Sequence, residues 1–207
     1  MMATMSPAQH TAGRRRTPSS DVERELIGAA EAVLVRDGPA GVTVRAVAAQ
    51  AGIAPMGVYN RLGGKDGLVD ALLIRGFDML RDAVAGRGEP GQLGRLWASG
   101  LRYREFALAN RHFYAIMFEA AIPHESGSPE VAGHAAAAFE ALVQNVDVAT
   151  AAGQIQVPDA REAAQQIWSS VHGAVALEMK GLVQTPDPEA TYRATLQMVL
   201  RGLAPAT

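Results

Sequence analysis
Apolar residues recur at helical spacing along nearly the whole chain, and no stretch sustains the alternation of a strand. Val22, Leu26, Ala29, Ala30, Val33 and Leu34 form a first stripe. Asp21 suits the N-cap of that helix, and Asp37-Gly38-Pro39 stops it. Val44, Val47, Ala48 and Ala51 then recur at i, i+3, i+4 and i+7 behind Thr43, whose hydroxyl can accept from an orphan N–H of the first turn. Gly52 follows, where a left-handed residue ends a helix without a Cβ penalty. Pro55 is placed to open another helix, with Val58 and Leu62 inward and Met56, Gly57, Asn60 and Arg61 outward. Two short helices joined by a glycine turn form a helix-turn-helix, whose second helix enters the major groove of DNA.

Beyond Gly63-Gly64, Lys65 starts a long helix carrying Leu68, Val69, Leu72, Leu73, Gly76, Phe77, Leu80 and Val84 on one side. Further helices are predicted over 92–110, 111–121, 130–152, 159–183 and 189–203, with a Ser-, Gly- and Pro-rich loop at 124–129. The chain is therefore read as all-α. Residues 1–20 form a disordered arm, 21–66 a three-helix head and 67–207 a larger helical body.

Composition adds limits. A chain of 207 residues, 48% hydrophobic, can bury a sizeable core, and without cysteine it has no disulfide framework or thiolate metal site. Residues 1–13 hold no long apolar run, which argues against a signal peptide, and no stretch of about 18 apolar residues could span a membrane. A cytoplasmic protein fits. The net charge of −2 divides into +3 over residues 1–65 and −5 over the remainder. A basic head on an acidic body suits contact with DNA at one end. Arg14, Arg15 and Arg16 in the arm read either as a solvated terminus or as a reach to phosphates or a minor groove.

In the body, Trp97, Tyr103, Phe106, Phe113, Met117, Phe118, Trp168, His172 and Met179 gather much of the large apolar and aromatic content. Individually they read as core; collectively they read as the lining of a pocket, with Tyr103, His172 and Glu178 as its polar fixers. No His-x-x-x-His or Glu-x-x-His pair accompanies His172, so a hydrogen-bonded histidine is favoured over a metal ligand. No nucleophile elbow, phosphate loop or dinucleotide fingerprint is present, so neither a catalytic site nor a cofactor is expected.

Thr43, Val44, Ala48, Ala51, Gly52, Pro55, Val58, Tyr59, Lys65 and Leu68, in this ungapped spacing, resemble the TetR (tetracycline-repressor-like) family of transcriptional regulators. Trp168, His172 and Gly173, with Arg102-Tyr103-Arg104-Glu105-Phe106 and Arg111-His112-Phe113-Tyr114, resemble the W…HG class of that family's ligand-binding domains. Ala54 departs from the Ser or Thr usual at the second helix's cap, and Leu62 stands where an aromatic is usual.

The resemblance implies a DNA-binding regulator, by default a repressor. It implies a homodimer through the last two helices on a palindromic operator of double-stranded DNA, and release by a small apolar or amphipathic effector. Thr43, Tyr59 and Lys65 would hold phosphates; Arg45, Met56, Gly57, Asn60 and Arg61 would face bases. The rival reading is an all-helical binding protein or enzyme whose helix-turn-helix is only structural.

Overall fold
A computed structural model describes residues 19–85, 92–119 and 128–205. Among them the chain is helical throughout, without a strand. The head comprises α1 (Ser19–Gly41), α2 (Val44–Gln50) and α3 (Pro55–Leu62), and α4 (Lys65–Val84) runs from it into the body. The body continues with α5 (Gln92–Ala109), α6 (Arg111–Phe118), α7 (Pro129–Ala151), α8 (Ala160–Met179) and α9 (Pro188–Gly202). Arg14, Arg15 and Arg16 lie outside the described residues, as does most of the 124–129 loop.

The first helix begins at Ser19, so Asp21 is not its cap. It sits in the first turn, where its carboxylate favours the helix dipole and pairs with Arg24. The far end breaks as expected: Gly38, at φ 71°, bends the chain before Pro39. The helices expected over 111–121 and 159–183 are shorter, closing at Phe118 and Met179. Asp159, Ser128 and Asp187 cap α8, α7 and α9 with side-chain oxygens. At the end of α8, Gly181 is left-handed, and the N–H groups of Gly181 and Leu182 return to the carbonyls of Glu178 and Leu177. That Schellman closure ends the helix ahead of Val183.

Two apolar clusters form. One joins Leu26, Val33, Leu34, Val47 and Val58 of the head to Leu68 and Leu72 of α4. It continues into Phe113 and Ile116 of α6 and Val131 of α7. The other fills the body with Leu80, Val84, Leu96, Tyr103, Tyr114, Ile167, Val171, Tyr192 and Leu196. Helix α6 therefore borders both. Gly76 of α4 makes this approach possible, because a Cβ there would meet the Met117 sulfur at 2.7 Å and the Phe113 ring at 3.2 Å.

Candidate DNA interface and effector cavity
The local chemistry of the head fixes a helix with one wet face. Thr43 caps α2, its Oγ1 accepting from the Ala46 N–H at 3.1 Å. Ala51 and left-handed Gly52 then close α2: the Gly52 N–H donates to the Ala49 carbonyl (3.2 Å) and the Ile53 N–H to the Ala48 carbonyl (3.0 Å). The chain turns at once into α3, with Pro55 in its first turn and no side-chain cap from Ala54. Val58 is fully buried beneath α3, whereas Met56 and Tyr59 are 64% and 54% exposed.

Asn60, Arg61, Thr43, Arg45 and Lys65 are also exposed. Gly57 is partly covered: a Cβ there would meet the Ile53 side chain at 2.7 Å, and the Arg61 Nη1 donates to the Gly57 carbonyl at 3.3 Å. The Tyr59 ring lies over Gly64, where a Cβ would come within 2.8 Å of it. Gly63 and Gly64 have φ of 72° and 100°, and this turn places Lys65 in the first turn of α4, beside the end of α3. Lys65 and Tyr59 are thus brought to one end of the reading helix, and Thr43 stands at the start of the helix packed beneath it.

In the body, α4, α5, α6, α7 and α8 enclose a cavity of about 180 Å³. Its wall includes Phe77, Leu80 and Val84, then Ser99, Gly100 and Tyr103, then Phe118. Ala135, Ala138, Phe139 and Leu142 of α7 and Ile167, Trp168 and Val171 of α8 complete it. Of the residues expected to form a pocket, Tyr103, Phe118 and Trp168 are on this wall. His172 stands behind it, its ring centre 5.0 Å from that of Phe118 and 5.6 Å from that of Trp168.

The remaining five are elsewhere. Trp97 and Met179 pack on the body cluster, Phe106 is buried within it, and Phe113 and Met117 press on α4 beside the head. Glu178 is not a fixer of the cavity. It is engaged by Arg104, which donates from Nε at 2.8 Å and Nη2 at 2.7 Å while its guanidinium also reaches Glu189. That forked pair ties α5 to α8 and α9.

The wall residues that sequence reasoning missed are mostly Ala, Leu and Val on the same helical stripes as the core. Their periodicity is identical whether a helix packs or splays, so no sequence signal separates them. Phe77 and Phe139 are the two aromatics among them, on the faces already read as inward on α4 and α7.

Polar chemistry at the wall is sparse. Ser99 donates to the Val84 carbonyl at 2.9 Å and accepts from Asn145 at 3.4 Å. The hydroxyls of Tyr103 and Tyr114 lie 2.8 Å and 2.9 Å from the same atom, His172 Nδ1. Burial pushes both phenols above their ordinary range, Tyr114 further because Tyr103 adds to the effect. Burial likewise holds the His172 imidazole below its ordinary range, with Glu119 pulling it up and Lys180 down. When the imidazole is neutral with its proton on Nε2, Nδ1 accepts from these hydroxyls.

No group of His, Cys, Asp and Glu suited to a metal ion occurs among the described residues, and no helix among them is long and apolar enough to cross a membrane.

A buried-core head whose second helix-turn-helix helix has one wet face, mounted on a helical body with an apolar cavity, defines a DNA-binding regulator of the helix-turn-helix class. Residues 26–72 match the model of the bacterial regulatory proteins of the tetR family, and residues 96–199 match that of the tetracyclin repressor-like C-terminal domain. The chain belongs to the TetR family, whose members bind DNA as dimers and are not enzymes.

The HTH-type transcriptional regulator Rv1816 of Mycobacterium tuberculosis is 22% identical, over 93% of this chain and 96% of that protein. Rv0681 of the same organism is 28% identical over 97% and 92%. Among solved structures, a protein of unknown function from Rhodococcus sp. RHA1 superposes with a TM-score of 0.78 at 26% identity, covering 95% of this chain and all (100%) of that one. A tetR-family regulatory protein from Rhodococcus RHA1 gives 0.65 at 20% identity, covering 90% and 98%, which shows the shared fold.

Proposed function
We propose that this protein is a cytoplasmic repressor that grips a palindromic operator as a homodimer and is released by a small apolar or amphipathic effector held in the α4–α8 cavity. The observation that carries the DNA side is α3 itself: Met56 and Tyr59 are kept in water while Val58 beneath them is fully buried. Folding alone gives no reason to present a large apolar and an aromatic side chain on the same face as Asn60 and Arg61. In this reading Thr43, Tyr59 and Lys65 hold phosphates. Arg45, Met56, Asn60 and Arg61 read base edges, and Gly57 lets the helix backbone come close to them.

The same reading pairs α8 and α9 with their symmetry mates, since Leu177 and Met198 stand exposed on those helices. A two-fold dimer sets the two reading helices one DNA turn or more apart. Effector response would travel through α6, because Phe118 lines the cavity while Phe113 and Ile116 belong to the apolar cluster of the head. A guest that moves Phe118 biases α4 and hence the spacing of the heads, and effector and operator must then weaken each other equally.

The test is affinity for genomic DNA fragments as salt is raised. Affinity should fall steeply, because each phosphate contact releases counterions. Absence of binding to any sequence, by the effector-free protein at low salt, would overturn the proposal.

A further inference from the structure
We infer that the cavity selects a neutral, compact apolar guest bearing one hydrogen-bond acceptor, such as a small ketone or ester, seated on the Tyr103 hydroxyl; this rests on the cavity being the effector site.

Size sets the first limit. At about 180 Å³ the cavity has room for a single ring or a short chain. That is the scale of a dry apolar cavity of about 150 Å³, which accepts benzene. Charge sets the second. Among the described residues no Lys, Arg, Asp, Glu or His lines the wall, so against these walls an ionised carboxylate or ammonium would lie without a partner.

The hydrogen bonds set the third. Ser99 already gives its one proton to the Val84 carbonyl. That leaves the tyrosine pair. In the neutral tautomer that carries its proton on Nε2, His172 Nδ1 has one lone pair, yet two phenolic hydroxyls stand within 2.8 Å and 2.9 Å of it. Either can satisfy the nitrogen, and Tyr103 is the one on the cavity wall. Tyr103, whose hydroxyl also hydrogen-bonds Tyr114 and Trp168, can therefore turn its proton to a guest oxygen if Tyr114 turns its own from Tyr103 to His172. Neither buried group is left unpaired, so the hydrogen bond to the guest forms without the usual penalty of orphaning another. Tyr114 is in this respect a positioning residue: it frees the hydroxyl that touches the guest.

Four probes of nearly equal shape separate the possibilities: acetophenone, isopropylbenzene, benzoate and benzamidinium. Binding is read without DNA, from the fluorescence of the full-length protein (Trp168 is on the wall) and by calorimetry, so the outcome is independent of whether the head binds an operator. Acetophenone should bind about fivefold tighter than isopropylbenzene. Both ions should bind more than about tenfold more weakly than acetophenone.

Tyr103→Phe should bring acetophenone down to the level of isopropylbenzene and leave isopropylbenzene unchanged, which also shows that the variant is folded. Tyr114→Phe should erase most of the same preference although it removes nothing from the wall, because Tyr103 must then serve His172. Equal or tighter binding of benzoate or benzamidinium, a preference for acetophenone that survives Tyr103→Phe, or failure of all four to bind would each overturn the inference. A protein that still binds DNA with normal salt dependence in that last case would leave the operator reading intact.

Discussion

Tyr59 and Asn60 are neighbours on α3 with different expected work. The Tyr59 ring is braced on Gly64, the residue before Lys65. Tyr59→Phe is expected to weaken binding to all operators alike, whereas Asn60→Ala should relax choice at one base pair, by about 1–3 kcal/mol of discrimination. Selection of bound sequences from a random pool, done for each variant, checks both.

His172 carries a different prediction. Its folded-state imidazole holds a proton less readily than an ordinary histidine near 6.5, with Tyr103, Tyr114, Glu119 and Lys180 as the polar and charged groups around it. Between that depressed value and about 6.5 the unfolded chain binds more protons, so stability rises with pH. The contribution is complete above about 6.5 and is lost as pH falls through the lowered value. Melting curves of the wild type and His172→Gln should diverge in pH slope across that window.

The sequence made the exposed placement of Tyr59 and Lys65 and the hydrogen-bonded character of His172 legible, since spacing and the lack of companion ligands bear on them directly. It could not show Arg104 across from Glu178, because the pair joins residues 74 apart and only the packing of α5 on α8 and α9 brings them together.

Helices were the most readable part, because an apolar stripe and a cap identify each one locally. The joints between them were less so. Gly67 shows why: it lies on α4 like any helical glycine, yet a Cβ there would sit 1.6 Å from the carbonyl oxygen of Leu62. The start of α4 is thus packed against the last turn of α3 at backbone distance, a contact no propensity scale reports. Gly67→Ala should cost about 1–3 kcal/mol by overpacking and should weaken DNA binding by shifting Lys65 relative to Tyr59. Gly133→Ala is the counterpart: it is in the interior of α7 with open space around it, and should stabilise by about 1 kcal/mol. Denaturant melts of both variants decide whether the close approach or the residue type governs.

For the assembled regulator, the test of pairing is the exposed apolar surface of α8 and α9. Leu177 and Met198 are 50% and 67% exposed, so replacing both by Glu should leave the protomer folded. The double variant is expected to sediment as a monomer and to bind operator more than about tenfold more weakly, through loss of the second head. The cavity could not be located in advance, because where helices splay is a property of all five walls together.

Phe113, Ile116 and Val131 have one more consequence. They complete the apolar cluster that the head shares with Leu68, Val69, Leu72 and Leu73 of α4, so residues 21–66 cut free would expose a seam shaped for both α4 and α6. Melting of head and body should accordingly be a single cooperative event, with amide protons of α1 and α6 exchanging at matched rates. Chimeras that graft this head onto another sensor would need to carry α4 and α6 across with it.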